Sequence, residues 1–267
     1  VTFGADNRIT INVNTSMQPN SRWYTGSGLF RGVKLCRGPR VHIVPDGVFV
    51  QTREVADGYA FLEAQVEVQN TTLETACGSD GVGVQRGGGH SFCKNEACDP
   101  DQCRKEETAR LSLTLAQPLL WDAEHPELYR VKAEAVSLGV YRTHFVKEEI
   151  TETDEAEVLF GIRTITADAI RGLRINGKTV KLKGGCLHHD NGLLGSVSLY
   201  ECEARKVRKL KEVGFNAIRT AHNPPSEALL EACDRLGMYV FDEAFDAWGM
   251  GKRGGDYHQY FAEQWER

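Results

Sequence analysis

Three short clusters hold the side chains of this sequence best suited to chemistry. They are Leu187-His188-His189-Asp190-Asn191, Arg219-Thr220-Ala221-His222-Asn223-Pro224-Pro225, and Asp242-Glu243-Ala244-Phe245-Asp246-Ala247-Trp248. Carboxylates and imidazoles grip hydroxyl-rich ligands by directional hydrogen bonds. Trp248 adds an apolar ring face that suits one side of a sugar. Glycoside hydrolysis uses two carboxyl groups flanking the bond, one as acid and one as base or nucleophile. The same residue types also bind metals, so a metal hydrolase with His188, His189, His222, Asp242 and Glu243 as ligands is a competing reading. Each cluster also has a plain structural reading. The histidines can bond nearby backbone, Arg219 can pair with Asp242 or Glu243, His222 to Pro225 can be a stiff turn, and Asp242 can cap a helix. Spacing alone does not choose among these.

The elements in front of each cluster favour a shared site. Val180–Gly184 reads as a strand. Ser198-x-x-Glu201 has the form of a capping box. Behind it, Tyr200, Ala204, Val207, Leu210 and Val213 recur at spacings of three and four, one face of a helix. Gly214 suits its C-terminal end, and Phe215–Arg219 reads as a second strand. Ser226 can cap a second helix with Leu229, Ala232, Cys233 and Leu236 on its apolar face; Gly237 stops it and Met238–Phe241 is a third strand. Strand, helix, strand, helix, strand predicts a parallel sheet. In such sheets functional residues gather at the carboxyl ends of the strands, where all three clusters fall.

Upstream the period changes. Residues 38–160 carry short alternating strands, such as Ala60–Val68, Ala109–Leu115 and Tyr129–Val136, which predict a β-sandwich. A Gly-rich stretch, residues 77–107, interrupts it and reads as a polar surface hairpin. It holds Cys77, Cys93, Cys98 and Cys103 at C-x15-C-x4-C-x4-C, which lacks the paired knuckles of structural zinc. The scattered Cys36, Cys186, Cys202 and Cys233 read as buried small hydrophobes. In residues 1–37, Ile9, Ile11 and Val13 alternate, and Leu29–Leu35 reads as another strand. That is too little to bury a core, so the segment reads as the tail of a larger β domain.

Composition sets the outer bounds. The 267 residues, 41% hydrophobic and 26% charged, are those of an ordinary globular chain of about two domains. A net charge of −5 argues against general affinity for nucleic acid or anionic membrane. No apolar run reaches the roughly 20 residues of a membrane-spanning helix. The sequence opens at Val1 with no signal-peptide pattern, which leaves localisation open.

These residues carry a resemblance. The stretches Phe160-Gly161-Ile162-Arg163, Ile175-Asn176-Gly177-Lys178, Gly184 to Gly195, Arg219 to Pro225, Cys233 to Gly237 and Asp242 to Trp248 resemble, in order, the glycoside hydrolases of family 2, most of all their β-galactosidases. Asn20 to Arg31 is similar to the end of that family's sugar-binding jelly roll. Leu120-Trp121 with His125-Pro126-Glu127-Leu128-Tyr129 is similar to its immunoglobulin-like domain.

The resemblance implies a multidomain β plus α/β chain. Residues 1–37 would be the tail of a jelly-roll β-sandwich and 38–160 an immunoglobulin-like β-sandwich with the insertion at 77–107. Residues 161–267 would be the first three βα units of a (β/α)8 TIM barrel. It implies substrate-binding roles for His188, His189, Asp190, Arg219, His222, Asn223, Asp242, Glu243, Asp246 and Trp248, with a terminal β-galactoside or related carbohydrate as ligand. A homo-oligomer is a further expectation. No cofactor is expected; of divalent cations, which assist some members, none is assigned, because Trp248 stands near a metal-binding His of the larger enzymes. The family's acid/base Glu follows an Asn on the fourth barrel strand and its nucleophile Glu comes later. Neither is found by Arg267, so no catalytic residue is assigned and the chain alone is expected to be inactive. The alternatives are a carbohydrate-binding module without catalysis, or a β-glucuronidase or β-mannosidase of the same family.

Overall fold

The computed structural model describes residues 4–14, 29–71, 77–86, 89–94, 106–142 and 147–244. The chain divides into two compact units, Lys34–Lys181, and Leu182–Arg267 together with Val1–Val33.

The first unit is built from seven long strands: β1 (Val41–Ala56), β2 (Tyr59–Asn70), β3 (Cys77–Arg86), β4 (Gly89–Lys94), β5 (Glu106–Ala116), β6 (Tyr129–Arg142) and β7 (Lys147–Phe160). They form two antiparallel sheets, in orders β1-β2-β5 and β4-β3-β6-β7. Alternation decides which side chains go inside. Ala60, Leu62, Ala64 and Val66 of β2 and Leu111 and Leu113 of β5 share one core with Tyr129, Val131, Ala133 and Ala135 of β6. Each fully buried Val or Leu there contributes about 1.5–3 kcal/mol. Asp57 and Gly58 both have positive φ, as a two-residue hairpin turn between β1 and β2 requires.

Within the stretch 77–107, the described strands β3 and β4 pair antiparallel, and they belong to the sheet itself. The first of them, β3, pairs with β6 from Cys77↔Leu138 to Gln85↔Arg130. Gly78, Gly81 and Gly83 dilute the β-branched signal of Val82 and Val84, so the sequence pattern understates this strand. Cys98 and Cys103 lie outside the described residues, as do the side chains of Cys77 and Cys93; of the scattered cysteines only Cys233 is buried, while Cys36 and Cys186 are exposed.

After the sandwich come three short strands, β8 (Ile165–Asp168), β9 (Gly172–Ile175) and β10 (Lys178–Thr179), in a small antiparallel sheet. Asn176 turns the β9–β10 hairpin at φ 51°. Its Oδ1 accepts from the Thr164 N–H at 3.0 Å and its Nδ2 donates to the Trp121 carbonyl at 3.0 Å. Trp121 is buried, with the Arg163 guanidinium 4.8 Å from its ring centroid. A Cβ on Gly161 would lie 2.7 Å from the Trp121 Cγ, so only glycine fits.

The second unit alternates strand and helix: β11 (Gly184–Leu187), α1 (Tyr200–Glu212), β12 (Ala217–Thr220), α2 (Glu227–Leu236) and β13 (Tyr239–Phe241). The sheet is parallel, in order β11-β12-β13. Ala204 and Val207 of α1 and Leu229, Ala232 and Cys233 of α2 pack with Ile218 and Met238. The helical periods thus place the buried faces where the sequence predicts, except at Val213, which follows the end of α1 and is 71% exposed. Ser226 caps α2, accepting from the Leu229 N–H at 3.1 Å, and Gly237 ends it in the left-handed conformation.

Three expectations are corrected here. The first parallel strand is Gly184–Leu187, not Val180–Gly184; alternation of Val180, Leu182 and the lysines mimics a strand that has no ladder partner. The capping box at Ser198 does not form: α1 has Leu199 at its N-cap without a side-chain bond, because the Ser198 hydroxyl is spent elsewhere. Residues 4–14 and 29–35 form no strand among the described residues. Ile9 is 84% and Leu35 92% exposed. Alternation needs a neighbouring edge before it becomes a strand, and these residues pair with no described strand.

Candidate functional site

The parallel register brings the strand ends level. Cys186 pairs with Arg219 and Arg219 with Phe241, while Leu187 pairs with Thr220. Just beyond those pairs stand His188, His189 and Asp190 after β11, His222 and Asn223 after β12, and Asp242 and Glu243 after β13. The close approach of β11 to β12 depends on Gly184, where a Cβ would sit 1.9 Å from the Ala217 carbonyl oxygen.

Arg219 is the hub of one set of contacts. Its Nη2 donates to Glu243 Oε2 at 2.6 Å and its Nη1 to Cys186 Sγ at 3.2 Å. The Cys186 and Glu243 bonds push the guanidinium pKa up, so it stays charged. His222 Nδ1 lies 3.5 Å from the same Glu243 Oε2. The His188 and His222 rings are 5.5 Å apart and tilted by 60°. The Thr220 hydroxyl donates to Asp242 Oδ1 at 3.0 Å and accepts the Glu243 N–H at 3.1 Å, which fixes the two carboxylates relative to β12. The result is a cluster with its one guanidinium charge matched by a carboxylate. Imidazole nitrogens and carboxylate oxygens, groups that make directional bonds, stand together at these strand ends.

His189 belongs to a second set. The Phe30 ring is 6.1 Å from its own, and Arg31 Nη2 lies 3.4 Å from its Nε2. Arg31 also donates to the Pro224 carbonyl. An arginine has no lone pair to offer, so in that contact Nε2 accepts and the ring proton sits on Nδ1. Burial, then the Arg31 charge, lowers the His189 pKa below its ordinary value, against the opposing pull of Glu203 and the Pro224 carbonyl. Asp190 Oδ1 accepts the Gly192 N–H at 2.8 Å, turning the loop behind it. Asn223 is half-buried in the β12 loop. Asp246 and Trp248 lie outside the described residues.

Among the described residues, no three His, Cys, Asp or Glu side chains gather as a metal-binding group. No described helix is long and apolar enough to cross a membrane.

Two residues near these loops escape the sequence reading. Arg31 is 158 positions from His189, a separation no spacing rule bridges. Glu203 is buried on α1 and bonded to Asn191 and Ser198. A signal for it does exist. It falls three residues after Tyr200 and four before Val207, a carboxylate on the apolar face of an amphipathic helix.

The sequence profile of the domain described as "Glycosyl hydrolases family 2" matches residues 41–163, and that of "Glycosyl hydrolases family 2, TIM barrel domain" matches residues 169–262. The chain belongs to glycosyl hydrolase family 2. It is 36% identical over 265 residues to the β-galactosidase BoGH2A of Bacteroides ovatus, covering 98% of this chain and 29% of that protein. A crystal structure of a family 2 member from Bacteroides cellulosilyticus is 35% identical, with a TM-score of 0.73 over 95% of this chain and 32% of its own. The Bacteroides uniformis β-glucuronidase is 27% identical, with a TM-score of 0.62 over 82% of this chain and 26% of its own. The chain thus spans less than a third of the length of each of these relatives.

Proposed function

We propose that this chain is part of a retaining exo-β-galactosidase that hydrolyses terminal β-galactosides, and that its three strand ends hold the galactosyl unit. The observation that carries the reading is the Arg219–Glu243–His222 cluster at the carboxyl end of a parallel sheet. Exo-glycosidases need oriented donors and acceptors there for the sugar hydroxyls. In this reading His188, His222 and Asp242 meet those hydroxyls, Glu243 is a dual acceptor held by Arg219, and Asp190, His189 and Asn223 shape the pocket wall. Asp246 and Trp248 are assigned to the same sugar site on the family resemblance alone. The domains are read as a jelly-roll segment over 1–37, an immunoglobulin-like sandwich over 38–160 and the opening of a TIM barrel over 161–267.

Glu243 is ion-paired and Asp242 is bonded to a hydroxyl, which suits both to orienting a sugar rather than to proton transfer. The acid/base and nucleophile carboxyls of retaining hydrolysis are assigned, on the family resemblance, to glutamates beyond Arg267, and the chain alone is expected to turn nothing over. β-Glucuronidase is the second reading, favoured by the similarity to the Bacteroides uniformis enzyme. A glucuronate carboxylate calls for an uncommitted cation. Among the described residues, the arginines at these loops are engaged, Arg219 with Glu243 and Arg31 with the Pro224 carbonyl, which supports a neutral sugar. The test is hydrolysis of nitrophenyl β-galactoside and β-glucuronide by the full-length protein that contains this chain. Preference for the galactoside supports the reading; preference for the glucuronide reverses it.

A further inference from the structure

Glu203 is the one ionisable side chain among the buried polar residues described, the others being Thr220 and Ser226. Its side chain is 4% exposed. Carboxylates are almost never buried this far unless paired. Its Oε1 accepts from Asn191 Nδ2 at 2.8 Å and from the Ser198 hydroxyl at 2.7 Å, and its Oε2 lies 2.8 Å from Lys206 Nζ. Burial raises its pKa, but the hydrogen bonds from Lys206, Ser198 and Asn191 outweigh that and hold it below the ordinary value.

The bonds run further. Ser198 Oγ lies 2.6 Å from Ser226 Oγ. A carboxylate can only accept, so the Ser198 proton goes to Glu203. Ser226 must then donate to Ser198, which leaves a Ser226 lone pair for the Leu229 N–H it caps. One carboxylate therefore orients a chain of hydroxyls from the core of α1 to the start of α2. Asn191 Nδ2 also donates to the Val197 carbonyl at 2.8 Å, closing the loop after β11 on itself.

Two loops meet at this chain of bonds. The first, 188–198, begins with His188 and His189; the second, 221–226, carries His222 and Asn223. We infer that Glu203 is a positioning residue for the sugar site, tying the loop after β11 to the loop after β12 through Asn191, Ser198 and Ser226. This rests on the reading of the strand ends as that site. Removing the carboxylate leaves Asn191 and Ser198 without their shared acceptor and frees each loop to drift from the other.

The experiment uses the full-length protein with Glu203→Ala, Glu203→Gln and Asn191→Ala. The readouts are hydrolysis of a nitrophenyl β-galactoside, the galactose inhibition constant and amide exchange. Glu203→Ala is expected to raise KM and the galactose constant together by about tenfold, as leaving buried polar groups unsatisfied does. Glutamine keeps an oxygen acceptor for Asn191 and Ser198, so Glu203→Gln is expected to recover to within about threefold. Exchange in 188–198 and 221–226 is expected to quicken in the alanine variants while the β1–β2 hairpin is unchanged. Asn191→Ala carries the same test from the loop side should Glu203→Ala fail to fold. A folded alanine variant with the wild-type galactose constant overturns the inference, whatever its loop exchange. A glutamine variant as impaired as the alanine overturns the hydrogen-bond account. If the wild-type protein neither binds galactose nor cleaves the galactoside, the functional reading falls, and loop exchange alone then decides whether Glu203 ties the loops.

Discussion

Gly184→Ala should disable the site without touching any residue in it. The added Cβ would sit 1.9 Å from the Ala217 carbonyl oxygen and 2.6 Å from its carbon. Ordinary contacts of this kind begin a little above 3 Å, so β11 and β12 must part by more than an ångström. The clash is backbone against backbone, and no rotamer relieves it. Parting strains the ladder that starts at Gly184↔Ala217 and the two bonds by which the Lys183 carbonyl accepts from Asn216 and Ala217. At about 1 kcal/mol per bond, and with overpacking costing about 1–3 kcal/mol, the loss is about 3–5 kcal/mol. The neighbouring position supplies the control, since a Cβ on Gly185 meets no described atom within 4 Å. Gly185→Ala should stay within about 0.5 kcal/mol of wild type. The assay is amide exchange across 182–200 in the full-length protein, with galactoside hydrolysis measured on the same samples. Gly184→Ala should expose β11 and cut activity, while Gly185→Ala should do neither. A Gly184→Ala protein with wild-type protection of β11 would refute the close-approach argument.

Further outcomes follow from the titratable groups. Because His189 has a lowered pKa, the unfolded chain takes up a proton before the folded one does as pH falls through about 6.5. Its contribution therefore costs nothing above that pH and destabilises the fold below it. His189→Asn should flatten the loss of stability between pH 7 and 5, read by exchange in the second unit, and an unchanged slope contradicts the assignment. Cys233 is buried, and burial, with Asp234 and Glu203 nearby, pushes its thiol up to about 12. Iodoacetamide at pH 8 should label the exposed Cys36 and Cys186 and leave Cys233 intact in the native protein. Rapid labelling of Cys233 would contradict its place between α2 and the sheet.

What the sequence reveals follows from how local each signal is. The α1 and α2 faces are legible because Ala204, Val207, Leu229, Ala232 and Cys233 repeat at helical spacing within one segment. The pairing of Arg219 with Glu243 is legible as one of two ion-pair alternatives, since parallel strands set adjacent ends side by side. The start of β11 is not, because Lys181 and Lys183 alternate with apolar residues as a strand would, and only the ladder to β12 marks the true element. Ser198 satisfies the capping pattern yet turns inward, since a buried carboxylate is a stronger acceptor of its proton than a helix terminus is a donor to its oxygen. Arg31 meets His189 only through the fold, and no periodicity carries that contact. Asp246 and Trp248 rest on the resemblance alone.

The central claim is that the cluster around Glu243 binds the sugar, and Glu243→Gln in the full-length protein tests it most directly. The variant keeps the shape and the Arg219 contact but halves the acceptor capacity and removes the charge that Arg219 and His222 face. A charge-assisted bond is worth about 1.5–3 kcal/mol, so kcat/KM for a β-galactoside should fall by about 10- to 100-fold with the fold intact. Wild-type kcat/KM in a folded Glu243→Gln protein would contradict the account.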